Sequence, residues 1–189
     1  MPSRPLRSPV ALAALGLLAE HPRHVYDMRK VMRERGYEQA LGLKNATLYD
    51  ALPRLAGAGL IEHAGTVRDS SRPERVVYRI TDSGVATLLD WLREWLGSAD
   101  HDHNAFTVAL AFMFALPKDE VAELVSRRAQ QLDAQLAEVE AGLAAAPAVP
   151  PIFLTDHTYR QTLRRAERDW LLTFADDLRG ERLSWPVPE

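Results

Sequence analysis

At 189 residues and 47% hydrophobic content, the chain has room for one good-sized domain or two small ones, each with a buried core. It holds no cysteine, which excludes a disulfide framework and thiolate metal sites and fits a reducing interior. The net charge of −3 hides a split: residues 1–81 carry 13 Lys/Arg against 8 Asp/Glu, and residues 82–189 carry 10 against 18. A basic first half beside an acidic remainder is the electrostatic footprint of a phosphate-binding part.

The N-terminal "MPSRPLRSPVALAALGLLAE" sets basic residues before an apolar run, as a signal peptide does. The run is short, however, and Glu20, His21 and Pro22 stand where a small-residue cleavage site belongs. No stretch reaches the roughly 20 apolar residues of a membrane span. The chain therefore reads as soluble and cytoplasmic.

The first helix is expected over Pro9–Glu20, with Ser8 as cap and Pro9 at the first helical position. A second covers about Val25–Arg35 and ends at Gly36. Its Val25, Met28 and Met32 lie at helical spacing, and Arg29, Lys30 and Arg33 point elsewhere. The third lies in "NATLYDALPRLAGAGLIEH", with Asn45 as cap and Gly57 and Gly59 as the end. Leu48, Ala51, Leu52, Leu55 and Ala58 form its apolar stripe, while Thr47, Asp50 and Arg54 form a second, polar one. "LIEHAGTV" and "RVVYRIT" read as two strands of a hairpin. The charged loop between them carries Arg68, Arg72 and, at its end, Arg75.

Three helices followed by a hairpin with a basic tip is the element order of a winged helix-turn-helix, which sets its third helix in the major groove of DNA. The expected DNA-binding residues are Lys44, Asn45, Thr47, Tyr49, Asp50 and Arg54 on and before that helix, and Arg68, Arg72 and Arg75 on the wing. Asn45 and Thr47 suit phosphates or base edges, and Arg54 is long enough for a phosphate or a guanine. The competing reading of each residue is a solvated helix face.

Three segments carry a resemblance: "VYDMRKVMRERGY", "NATLYDALPRLAGAGLIE" and "ERVVYRITDSGVATLLDWL". They resemble the signature blocks of the PadR family of bacterial transcriptional regulators, over about residues 8–97. The third-helix pattern is met by Ala46, Thr47, Leu48, Tyr49, Ala51, Leu52, Arg54, Leu55, Gly59, Leu60 and Ile61. Tyr78 and the Thr81–Gly84 start of the next helix fit too. "DHTYRQTLRRAERDWL" is similar, more loosely, to the helical tail of the larger subgroup. Two residues depart from the pattern. Asp50 stands where the family often has proline, placed to pair with Arg54 or to accept a hydrogen bond from a cytosine amino group. Pro53 removes the helical bond to the Tyr49 carbonyl and is expected to bend the helix or make its first turn irregular.

The fourth helix, about Asp82–Leu96, has a stripe of Val85, Leu88, Leu89, Leu92 and Leu96, with Trp91 and Trp95 on a neighbouring face. It is apolar too far round to serve one partner. The resemblance implies a dimer interface there, where aromatic residues in some members sandwich a planar ligand. The alternative is that both tryptophans are core. The expected interface or effector residues are Trp91, Trp95, Phe106, Tyr159 and Trp170. His101, Asp102 and His103 lack the geometry and the third ligand of a metal site, so neither a metal nor a cofactor is expected.

The tail reads as a short apolar helix in "FTVALAFMFAL", then two antiparallel helices, about Lys118–Ala146 and Thr155–Arg179, broken by "APAVPP". The first of the pair spaces Leu132, Leu136, Val139 and Leu143 as a coiled coil does, and the second sets Tyr159, Leu163, Trp170, Phe174 and Leu178 on one side. Each shows more than one apolar strip, and dimerisation is the simplest way to bury both. Gly-rich phosphate loops, Gly-x-Ser-x-Gly and His-Glu-x-x-His are missing, so no enzyme is expected.

The expected fold is thus mostly α with a small β-hairpin: a winged helix-turn-helix over 1–97 and a helical dimerisation and effector domain over 98–189. The expected function is a homodimeric regulator that binds double-stranded operator DNA. By family analogy it is a repressor released by a planar aromatic effector, nucleoid-associated when on DNA. The alternative is a winged-helix protein-interaction module without specific DNA binding.

Overall fold

The computed structural model describes residues 6–35, 46–67, 75–99, 103–145, 149–180 and 182–186. Within helices and strands, the side chains of 46, 47, 66, 67, 75, 103, 104, 145 and 156 are outside the description. Among the described residues are seven α-helices and one antiparallel sheet of three strands. The chain divides into two compact units, Met1–Leu92 with Asp102–Met113, and Arg93–His101 with Phe114–Glu189.

The first unit is built around α1 (Pro9–Glu20). Ser8 caps it, its side chain accepting from the Ala11 amide at 3.2 Å, and Pro9 opens the first turn. Every residue from Val10 to Leu18 is buried, so the run that resembles a signal sequence is the centre of a core. Gly16 lets the buried Phe112 ring lie flat on α1, where a Cβ would overlap the ring. Phe112 follows α5 (His103–Ala111), which packs on α1.

Strand β1 (Arg23–His24) leads into α2 (Val25–Glu34), whose first turn is capped by His24 Nδ1, accepting from the Tyr26 amide at 2.9 Å. Met28 and Met32 are its buried residues, as the spacing predicts. Helix α2 ends at Glu34, with Arg35 as its C-terminal cap; Gly36 lies outside the described residues.

Helix α3 (Ala46–Gly57) buries Leu48, Ala51, Leu52 and Leu55. Ala58, expected in that stripe, is exposed because the helix has already ended. Gly59 adopts φ 72°, the Leu60 amide donates to the Leu55 carbonyl and the Gly59 amide to the Ala56 carbonyl. This is the Schellman stop, whose left-handed residue carries no Cβ penalty when it is glycine. The helix continues through the exposed Pro53 to Gly57.

Strands β2 (Ile61–Val67) and β3 (Arg75–Ile80) form the hairpin, and β3 also pairs with β1, giving the order β1-β3-β2. A register shift between His63 and Gly65 bulges β2, with Gly65 at φ 131°. Helix α4 (Asp82–Gly97) starts in the first unit and ends in the second. Its start is tied to the end of α3. Thr81 and Ser83 hydroxyls both donate to the Gly59 carbonyl, at 2.7 and 2.9 Å, and Thr81 Oγ1 accepts from the Gly84 amide at 3.1 Å. Gly84 lies so close to the Leu60 carbonyl that a Cβ there would overlap it.

The second unit is dominated by α6 (Lys118–Ala145) and α7 (Thr155–Arg179). They run antiparallel, as Ser126–Arg179, Asp133–Arg168 and Glu140–Arg165 contacts show by rising along one helix and falling along the other. Arg128, 2% exposed, donates through Nε to Glu167 at 2.8 Å and through Nη1 to the Ser98 carbonyl, holding the end of α4 to both helices. Leu132 and Leu136 are buried as expected, but Leu143 is 40% exposed.

The inward side of α7 corrects the sequence reading. Tyr159, Leu163 and Trp170 are exposed, whereas Gln161, Leu171, Ala175 and Leu178 are buried. Apolar spacing finds an apolar stripe, but within one chain the ion pairs to α6 turn a different stripe inward. Val85 on α4 is likewise exposed, at 38%.

Candidate nucleic-acid interface

The packing of α3 settles which side of it is available. With Leu48, Ala51, Leu52 and Leu55 buried, Tyr49 and Asp50 are exposed and Arg54 is half-buried. Asp50 and Arg54 are four apart, one turn along the same side. The Arg29 guanidinium lies 6.0 Å from the centre of the Tyr49 ring, a cation–π contact between α2 and α3. The side chain of Thr47, and Lys44 and Asn45 entirely, lie outside the described residues.

Helix α2 adds a face that the expected site omitted. Tyr26, Lys30 and Arg33 are exposed and Arg29 half-buried, at spacings of three and four opposite Met28 and Met32. That spacing was present in the sequence as a basic stripe. Lys30 pairs loosely with Glu34, at 3.8 Å. On the hairpin, Glu62 and Arg79 are opposite each other and joined at 2.7 Å, and the rings of the opposed His63 and Tyr78 are 5.0 Å apart. Arg68 and Arg72 lie outside the described residues, as does the side chain of Arg75, whose backbone pairs with Val67.

Behind this face a charged clamp fixes the ends of α1 and α2. Arg35 reaches both carboxylate oxygens of Glu20, at 2.5 and 3.0 Å, and Arg23 reaches one at 2.6 Å. Arg23 is itself 9% exposed and donates through Nε to the Leu17 carbonyl at 3.1 Å. Partial burial pushes the Glu20 carboxyl up, but the hydrogen bonds and charges of Arg35 and Arg23 outweigh it and leave it below the ordinary carboxylate value.

The five aromatic residues expected at an interface or effector site fall into different environments. Trp95 and Phe106 are buried at 4% and 3% exposure. Trp91 is half-buried, with the Arg7 guanidinium 5.8 Å from its ring centre. Tyr159 and Trp170 are exposed on one side of α7, with Trp170 stacked on Phe174 at 5.0 Å. Eleven residues of helix separate the two, about 16 Å, too far for them to clasp one small ring. Among the described residues there is no group of three His, Asp or Glu placed for a metal and no helix long and apolar enough to cross a membrane. His101 and Asp102 and the side chain of His103 are outside the description.

Residues 14–90 match the model of the transcriptional regulator PadR-like family. The chain is 27% identical over 128 residues to the negative transcriptional regulator PadR of Bacillus subtilis, covering 68% of this chain and 69% of that protein. It is similar to the crystal structure of Bacillus subtilis PadR in complex with operator DNA (22% identity, 90% of this chain and 99% of that one, TM-score 0.42). It is also similar to the same protein in complex with p-coumaric acid (22% identity, 93% and 100%, TM-score 0.38). Residues 14–90, where α3, the hairpin and the start of α4 lie, are thus similar to the PadR-like family of transcriptional regulators.

Proposed function

We propose that the chain is a homodimeric repressor that binds operator DNA through α3, α2 and the hairpin, and that a small-molecule effector releases it. The observation that carries the DNA reading is the sidedness of α3. Its apolar residues are consumed by the first unit, and Tyr49, Asp50 and Arg54 are left beside the basic side of α2. In this reading Lys44, Asn45, Thr47, Arg68, Arg72 and Arg75 complete the interface, the wing arginines meeting phosphate and α3 meeting base edges.

The dimer reading is supported by the outward stripe of α7 and the turn before it. Ile152 and Phe153 are each 73% exposed, Tyr159 65% and Leu163 52%, a group of large apolar side chains left in water of the kind that marks interaction surfaces. Two copies would set two recognition helices about 34 Å apart, one turn of DNA. An effector releases DNA only insofar as it binds two dimer shapes unequally. Trp91, Trp95, Phe106, Tyr159 and Trp170 belong to the dimer and effector part of the reading.

The test is a titration of the protein against its own upstream promoter and against scrambled DNA of equal length, at two salt concentrations. Preferential, salt-sensitive binding is the expected result. Arg54→Ala is expected to weaken promoter binding more than scrambled binding. Binding to neither DNA at low salt would replace this reading with a protein-interaction module.

A further inference from the structure

Helix α2 has little packing of its own to hold it. Its two buried residues are Met28 and Met32, unbranched side chains that adapt to a shifted neighbour instead of locking it. The tilt of the helix is therefore set at its ends. At the first end His24 pairs with Val77 of β3, and its ring caps the helix by accepting from the Tyr26 amide. At the last end Arg35, the C-terminal cap, donates to both carboxylate oxygens of Glu20 on α1. Eleven helical steps separate these two fastenings, about 16 Å along the axis.

The same carboxylate accepts from Arg23, whose Nε donates to the Leu17 carbonyl. Arg23 is buried, and its backbone pairs with Tyr78 on β3. One carboxylate at the end of α1 thus joins the end of α2 to the strand that flanks the hairpin. Between the two fastened ends lies the basic side of α2, where Arg29 stands 6.0 Å from the centre of the Tyr49 ring on α3. If α2 turns about His24, Arg29 moves nearly half as far as Arg35 does, and the support of Tyr49 moves with it. Glu20 and Arg35 are each partly exposed, so their pairing adds little to folding. What it supplies is placement.

We propose that Glu20 is a positioning residue for sequence discrimination: without touching DNA, it fixes the tilt of α2 against α3 and the hairpin, so that all three meet an operator in register. This role rests on the DNA reading above. Its signature is opposite in sign to that of a bare surface charge. An acid that merely stands near a phosphate-binding face repels DNA, and its removal strengthens binding to every sequence alike. Removal of a positioning acid weakens binding to the preferred sequence, because base-edge hydrogen bonds lose strength steeply as they misalign.

The experiment titrates the full chain and its Glu20→Gln, Arg35→Lys and Arg35→Ala variants against the upstream promoter and scrambled DNA, and reads the ratio of the two affinities. Glu20→Gln should lower that ratio by about three- to tenfold, chiefly through weaker promoter binding. Arg35→Lys, which keeps the charge without the fork, should fall between the parent and Arg35→Ala. A surface charge alone would shift both affinities together and leave the ratio unchanged. A structural role alone would lower the urea midpoint with the ratio unchanged while the chain is folded. Either result, with the parent still preferring its promoter, overturns the positioning role and leaves the DNA reading in place. A parent that does not distinguish the two DNAs removes the DNA reading and the positioning role with it. Hydrogen exchange of the protein without DNA checks the clamp separately. The last turn of α2 should exchange faster in Glu20→Gln than in the parent, with the centre of α1 unchanged. Equal rates at α2 overturn the clamp whatever the DNA result.

Discussion

Helices α1 and α7 show two ways of spending a buried face. Helix α1 buries nine consecutive residues, all small or apolar, and charge enters only at the Glu20 clamp on its last residue. Helix α7 turns inward a seam that is polar for its first half and apolar only from Leu171 onward, and it keeps Tyr159, Leu163 and Trp170 outside. The first arrangement is complete within one chain. The second holds its unit with directional pairs and leaves its best hydrophobic surface for something else. Area buried from water, roughly 25 cal/mol per Å², therefore stabilises the first unit more directly than the second.

The largest expected effects test that contrast. Glu167→Ala leaves the Arg128 charge buried without its carboxylate and should destabilise the second unit by about 3–5 kcal/mol, read by urea unfolding. Leu15→Ala, at a fully buried position of α1, should cost about 2–5 kcal/mol in the same measurement. Raised salt should leave the Leu15→Ala penalty unchanged. Equal salt dependence of both penalties would erase the distinction between the two helices.

Next in size is the outward stripe. Trp170→Ser should leave far-UV circular dichroism intact, yet shift sedimentation toward the monomer and make the melting temperature depend less on concentration. A variant that sediments as the parent does would move the dimer contact elsewhere.

The smallest expected effect is the Glu20 clamp. Its folded carboxyl sits below the ordinary value of 4.5, so its contribution is present above that value and is lost as pH falls through the folded one. Because Glu20 is about a third exposed, the contribution is under about 1 kcal/mol. Glu20→Gln should lower the urea midpoint near about pH 7 and match the parent near about pH 3. A gap that persists in acid would assign the effect to packing.

Much of the fold was legible because local chemistry spoke for it. Ser8 and Pro9 marked the start of α1, Gly59 the stop of α3, and α7 spans Thr155–Arg179 as expected. The facing of α7 was not legible, since Tyr159, Leu163 and Trp170 make a better apolar stripe than His157, Gln161 and Arg164. Pattern reports what wants burial, whereas the pairing of Asp133, Glu140 and Arg128 with the neighbouring helix decides what gets it. Of the residues proposed to face DNA, the outward positions of Tyr49 and Asp50 followed from the spacing of α3. The Arg29–Tyr49 contact did not, because it joins two helices whose relative placement no local spacing encodes.

The junction at Gly84 has a mechanical meaning. With the Leu60 carbonyl lodged against its bare Cα, and Thr81 and Ser83 both fastened to the Gly59 carbonyl, the first turn of α4 and the last turn of α3 cannot slide independently. They behave as a rivet. Any tilt imposed on the first turns of α4 becomes a tilt of α3, and under the proposed DNA reading a base-edge hydrogen bond from α3 tolerates little misalignment before it fails. Loosening the rivet with Gly84→Ala should therefore spoil discrimination between operator and scrambled DNA before it spoils the folding of α3.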